Sequence, residues 1–145
     1  MSDSISTSSA PKPVGSYPHA RRVGNLLFLS GVGPRVAGSG NGDSKVPGLE
    51  LSESGEILKF DFEAQVHAVF SNVKAILEAS GSSWEELIDV QVFLVNMSRD
   101  FETFNRIYAA YFSDLGENRP CRTTVEVNCL PTPIAIELKC IASVK

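Results

Sequence analysis

An α+β domain, a mixed sheet with two helices packed on one of its faces, is predicted by three features of this 145-residue chain. Residues 61–80 place apolar side chains at helical spacing, and residues 100–112 do so again. Around them lie short runs that alternate with period two or are continuously apolar, as strands are. Clusters of Gly, Pro and Asn separate these runs. The resulting order is β-β-(β)-α-β-α-β-β, in which the crossovers can deliver both helices to one side of the sheet.

Taken in order, residues 14–20 read as an extended lead into Arg21, Arg22 and Val23. Gly24-Asn25 is a two-residue hairpin signal, and 26–30 is an apolar strand of the fully buried kind. Gly31-Val32-Gly33-Pro34-Arg35 breaks it. Residues 36–51, rich in Gly, Ser and Asn, read as a long loop, a length that usually serves as a lid or subunit contact. Ser54-Gly55 turns into a short strand at 56–58. Helix 61–80 has Asp61 as its N-cap and Gly81 as its stop. Ser82 and Ser83, followed by Glu85 and Glu86, suggest a capped turn. Residues 87–95 form a strand, and a second helix begins at Asp100 and ends near Asp114.

The last stretch, 119–145, reads as a hairpin. Residues 122–129 alternate Arg122, Thr124, Glu126 and Asn128 against Thr123, Val125, Val127 and Cys129. Pro131 and Pro133 belong in the connection because they cannot donate to a ladder. Pairing 122–129 with 134–142 sets Thr124 opposite Lys139 and Glu126 opposite Glu137. Arg122, Thr124, Glu126, Glu137 and Lys139 would then form one polar patch on the uncovered face. Two facing carboxylates repel, so such a patch calls for a cation or a function.

Composition narrows the function classes. The chain is 43% hydrophobic and 21% charged, ordinary for a soluble single domain with a core of its own. A net charge of −4 argues against nucleic acid as a partner, since a phosphate-binding surface needs a basic excess. No apolar run approaches the ~20 residues that span a bilayer, and 1–13 has no signal-peptide core. Residues 1–13 read as a disordered N-terminal tail and 14–145 as the domain. Cys121, Cys129 and Cys140 are an odd set without a CxxC pair, which fits a reduced, cytoplasmic protein without a bound metal such as zinc.

Several runs carry a family resemblance: Gly15-Ser16-Tyr17, Leu29-Ser30-Gly31, Leu77-Glu78-Ala79-Ser80-Gly81, Val92-Phe93-Leu94, Asn105-Arg106-Ile107-Tyr108 and, above all, Arg119-Pro120-Cys121-Arg122-Thr123-Thr124-Val125-Glu126-Val127. Over roughly 14–143 the chain resembles the RidA (YjgF) family. Gly33-Pro34-Arg35, Pro47-Gly48 and the ending from Pro131 to Cys140 look more narrowly like its 2-aminomuconate deaminase branch. The resemblance implies a chorismate-mutase-like fold and a homotrimer, or a hexamer of paired trimers, with sites between subunits. It also implies cofactor-free hydrolysis of an enamine or imine to a ketone and ammonia. By position, Arg122 would bind a carboxylate, Tyr17 would be the site tyrosine and Gly31 a backbone contact. This chain departs from the family pattern at Lys139, where many members carry Glu, with Glu137 two residues before it. It departs again at Thr124, where Cys is common, and around Met97-Ser98-Arg99, where an Asn is usual.

The narrower resemblance implies 2-aminomuconate, a dicarboxylate enamine of aromatic catabolism, as substrate and 4-oxalocrotonate as product. Arg122 would grip the carboxylate beside the nitrogen with two parallel hydrogen bonds. Arg35 is the favoured cation for the distal acid. Lys139 would hold substrate or transfer a proton, Glu137 would orient water, and Tyr17 would donate to the leaving nitrogen or to a carboxylate. Thr124 completes the binding set. His67, in mid-helix, reads as a packing histidine, and nothing in the spacing of His19 demands a role. Two alternatives stand beside this one: a general deaminase of 2-iminobutanoate and 2-aminoacrylate, and a non-catalytic trimer that binds a carboxylate metabolite.

Overall fold

A computed structural model describes residues 3–40 and 45–145. Its strands are β1 (Ser4–Ile5), β2 (Ala20–Val23), β3 (Leu26–Leu29), β4 (Glu50–Leu51), β5 (Ile57–Lys59), β6 (Leu87–Leu94), β7 (Cys121–Glu126) and β8 (Ile136–Ser143). Helices α1 (Phe62–Ala79) and α2 (Met97–Tyr111) complete the core layers. The main sheet runs β1-β2-β3-β8-β6-β7, and β4 and β5 pair separately. The mixed α+β architecture is the expected one. The expected loop at 36–51 contains residues 41–44, which lie outside the described residues; its last two residues form β4.

Both helices cover one face of the main sheet. Val66, Val69, Phe70, Val73 and Leu77 of α1 are buried with Phe104 and Ile107 of α2. They share one core with Leu27, Leu29, Val90, Val92, Leu94, Leu138, Cys140 and Ala142 from the strands. Asp61 caps α1 as expected, its side chain accepting from Ala64 N. Helix α2 starts three residues earlier than its apolar stripe suggests, because the Asn96 side chain accepts from Arg99 N and caps it there. The turn at Trp84–Glu86 has no side-chain cap from Ser83. Ser82 Oγ instead donates to Ser143 O at 2.7 Å.

The first hairpin follows its turn signal. Val23 pairs with Leu26 around Gly24 at φ 59, a conformation only glycine adopts freely. The strand expected to be fully buried at 26–30 is buried on one face only: Leu27 and Leu29 are inside, while Leu26 and Phe28 stay exposed.

Two expectations are corrected. Residues 3–13, expected to be a disordered tail, lie along the sheet in this structure. Ser4 and Ile5 pair with Arg21 and Ala20, and Ala10 belongs to the core. Serine and proline content alone misses this, because the edge of β2 offers backbone partners that a polar segment can take up without an apolar face of its own.

The C-terminal hairpin does not form either. β6 lies between the two supposed arms, parallel to β7 and antiparallel to β8. A strand-helix-strand unit, β6-α2-β7, makes its two strands parallel neighbours, and β8 then fills the gap between β3 and β6. Arg122, Thr124 and Glu126 align with Val90, Val92 and Leu94, which face the helices. Glu137 and Lys139 align with Phe93 and Gln91 on the opposite face. The five-residue polar patch is therefore divided between the two sides of the sheet, and Glu126 does not oppose Glu137.

Candidate active site

A cleft opens where the chain leaves β3 and passes beside the start of β8. Tyr17, His19, Ser30, Gly31, Arg35 and Glu137 line it, with Pro11, Pro13, Val14 and Ile134 supplying apolar surface. It encloses about 530 Å³ of empty space, its open mouth included. Its floor is set by backbone pairing. Val32 N donates to Leu138 O at 2.8 Å, and Leu138 N returns a bond to Val32 O at 2.9 Å. This bridge brings Gly31 directly against Glu137: a Cβ built at Gly31 would stand 3.0 Å from Glu137 Cδ and 3.0 Å from its Oε1. Glycine is needed here for close approach rather than for an unusual φ. Ser30 is tied down by its Oγ, which donates to Pro18 O at 2.7 Å.

Glu137 is the acid of this cleft. Half burial, with its loss of hydration, pushes its carboxyl above the ordinary glutamate value. A carboxyl tuned in this direction is suited to exchanging a proton with water or substrate near neutral pH. Tyr17 is 43% exposed and presents its phenol to the same space. Arg35 lines the cleft while its Nη2 donates to Lys12 O at 2.8 Å.

The other expected site residues lie elsewhere. Lys139 is not among the lining residues; its Nζ donates to the Leu29 carbonyl. Exchanging a second strand acid for lysine thus leaves the cleft's own acid in place.

Arg122 sits on β7, the far edge strand, on the helix side of the sheet. Its Nη2 donates to Asn105 Oδ1 at 2.7 Å. Its guanidinium carbon lies 4.8 Å from the Tyr108 ring centroid, 5.5 Å from that of Phe104 and 5.9 Å from that of Phe101. Three aromatic faces and one amide hold the fork in a fixed orientation. Burial pushes the Tyr108 phenol up to about 12, against the lowering effect of Arg122, so that ring stays neutral. Thr124 lies beside Arg122 on the same face, its buried Oγ1 without a hydrogen-bond partner among the described residues. Within one chain Arg122 and Glu137 are separated by β6 and by the thickness of the sheet.

Two polar residues of these clusters, His19 and Asn105, were given no role by sequence reasoning, although His19 was within reach of the site. His19 is 7% exposed, and its ring takes part in two hydrogen bonds, both to the N-terminal segment. Its position just before β2, ahead of the turn to Gly31, was the available signal. Asn105 contacts Arg122 across 17 residues of sequence, which no local spacing reveals. His67 is exposed rather than packed, with Nδ1 2.7 Å from Tyr111 Oη. Among the described residues, no group of three His, Cys, Asp or Glu side chains is placed to hold a metal ion. No helix there is long and apolar enough to cross a membrane.

Known proteins resemble this chain over nearly its whole length. The family model described as "Endoribonuclease L-PSP" matches residues 7–144. A RutC family protein of Pyrococcus horikoshii is 42% identical over 142 residues, covering 98% of both chains. A protein of Escherichia coli named 2-iminobutanoate/2-iminopropanoate deaminase is 33% identical, again over 98% of both. The crystal structure of the E. coli YjgF gene product superposes with a TM-score of 0.81 at 32% identity, covering 99% of this chain and 100% of that one. With a family match over nearly its whole length and a shared fold, the chain is a member of the RidA/YjgF (endoribonuclease L-PSP) family.

Proposed function

We propose that this protein is a deaminase that hydrolyses short 2-imino acids, and the enamines in equilibrium with them, to 2-oxo acids and ammonia. The observation that carries this reading is the convergence of Tyr17, Gly31 and a partly buried Glu137 on one cleft. The naming of the E. coli relative as an imine deaminase supports it.

In the proposed reaction, an enamine first takes a proton from solvent at carbon, or an imine takes one at nitrogen, and becomes the iminium. Glu137 then accepts a proton from water as the oxygen adds to C2, forming a C–O bond and a carbinolamine. That proton passes to the nitrogen, the C–N bond breaks with its electron pair leaving on ammonia, and the hydroxyl proton returns to Glu137. The Tyr17 hydroxyl steadies the departing nitrogen.

The substrate carboxylate requires a cation, and Arg122 with its fork held by Asn105 is the group suited to it. Because Arg122 and Glu137 lie on opposite faces of one sheet, we assign Arg122 of a neighbouring protomer to the cleft, within a homotrimer. The uncovered face carries exposed Phe28 and Val125 beside Glu137 and Lys139, the mixed surface that a subunit contact would cover.

A second reading, hydrolysis of 2-aminomuconate to 4-oxalocrotonate, draws support from Arg35, which brings a cation to the cleft for a distal acid group.

The test is a side-by-side rate comparison of 2-iminopropanoate, 2-iminobutanoate and 2-aminomuconate, each generated in situ, with and without the protein. Faster ketone formation from the two short imines supports the general deaminase. A preference for 2-aminomuconate that Arg35→Ala removes supports the second reading. Carboxylate binding without acceleration of any of the three would leave a metabolite-binding protein and overturn both.

A further inference from the structure

We propose that residues 10–14 form the wall that selects the substrate's side chain, and that His19 is the positioning residue holding that wall in place. The inference rests on the deaminase reading and deepens it: these residues limit how bulky a side chain the imine can carry.

The wall is built from residues that fit this task. Pro11, Pro13 and Val14 line the cleft together with Tyr17 and Glu137. Two pyrrolidine rings with fixed φ make a surface that yields little. Ala10, at 2% exposure, sinks into the core and anchors the start of the wall. Val14 is 54% exposed at the other end, an apolar side chain at the mouth of a polar-lined cleft.

This stretch belongs to no helix or strand, so side chains must supply what a ladder would. His19 supplies most of it. Thr7 N donates to His19 Nδ1 at 3.2 Å, and His19 Nε2 lies 2.8 Å from Pro11 O. A backbone N–H can only donate and a carbonyl can only accept. The two bonds therefore fix the tautomer: Nδ1 accepts and the proton resides on Nε2. One buried ring thus clamps the segment on both sides of Ala10. Arg35 adds a third tie through Lys12 O. Set free, the Pro11 and Pro13 rings would move away from the cleft, and the discrimination would move with them.

The test compares kcat/KM for imines generated in situ from alanine and from leucine, in the full-length protein and in variants. His19→Ala is expected to shift the alanine-to-leucine ratio about 10-fold toward leucine, at the lower end of what a methylene in an apolar pocket discriminates. Thr7→Pro cuts the same clamp from its other end without touching the cleft, and is expected to shift the ratio in the same direction. His19→Gln, whose amide offers an oxygen to accept from Thr7 N and an N–H to donate to Pro11 O, is expected to restore most of the preference. Amide exchange over residues 7–14 should quicken in the first two variants and not in the third.

A ratio unchanged in His19→Ala and Thr7→Pro, or an equal fall for both substrates, overturns the proposal while the deaminase reading stands. If His19→Ala does not fold, Thr7→Pro decides alone. Absence of any turnover by the unsubstituted protein overturns the deaminase reading and this one together.

Discussion

Gly31→Ala isolates the contact between the β3 exit and Glu137. Gly31 does not lie in the left-handed region, so its backbone accepts alanine without strain. The nearest neighbours of the added methyl are atoms of the Glu137 carboxyl, 3.0 Å away at Cδ, 3.0 Å at Oε1 and 3.3 Å at Oε2. Carbon atoms prefer roughly 3.5–4.0 Å, so the carboxyl has to retreat by about 0.5 Å. Displacing a reacting group by about 1 Å can slow a reaction ~10²-fold, so half that shift is worth about 10-fold. That is about 1.4 kcal/mol on the barrier. Stability should hardly change, because replacing glycine where φ allows it contributes about 0.4–1 kcal/mol through the unfolded chain and offsets the crowding. The assay pairs steady-state ketone formation with thermal unfolding. The expected result is a kcat/KM about 10-fold lower with a melting temperature within a few degrees of the parent. Full activity in a folded Gly31→Ala protein would refute the placement of Glu137 as the working acid.

The remaining predictions concern two ionisable groups. Because burial raises the Glu137 carboxyl above 4.5, kcat/KM should fall with decreasing pH through a pKa above 4.5, and Glu137→Gln should lose this limb along with most turnover. The stability sign follows from the same direction. The fold favours protonated Glu137, so the stabilisation is present at low pH and is lost as pH rises through the raised value. Glu137→Gln should therefore melt at or above the parent at pH 7, with the gap closing below pH 4.5. Cys140 is fully buried and burial pushes its thiol up to about 12, so alkylation at neutral pH should spare it until the protein is unfolded. Modification of Cys140 at the rate of a free thiol in folded protein would contradict the assigned core.

How much of this could be read from the sequence depends on whether the signal was local. The period of α1 and its Asp61 cap were legible because both are contained within one helix. Strand limits near Cys121–Glu126 and Ile136–Ser143 were legible for the same reason. Pairing was not. Alternation shows which side chains of a strand share a face, but it does not name the neighbouring strand. The segment LIDVQVFL carried the missing hint: its near-continuous apolar character suits a central strand, and the helix after it forces the next strand to run parallel. Glu137, Tyr17, Gly31 and Arg35 were all singled out in advance and meet in one cleft. Arg122 was singled out too, yet its place on the far edge and its bond to Asn105 depend on tertiary packing. The hold of the N-terminal segment on the fold was not legible because it comes chiefly from backbone groups and one histidine, with only Ile5 and Ala10 adding apolar contact.

The place of β8 has a consequence for how the molecule is made. The final strand of the chain lies in the middle of the sheet, bonded to β3 on one side and β6 on the other. Until β8 is in place, β3 and β6 keep open inner edges, and only the helix layer spans the two halves. The sheet cannot close before β8 joins it, so the chain is open to aggregation until then, and loss of β8 would divide the sheet instead of trimming its edge.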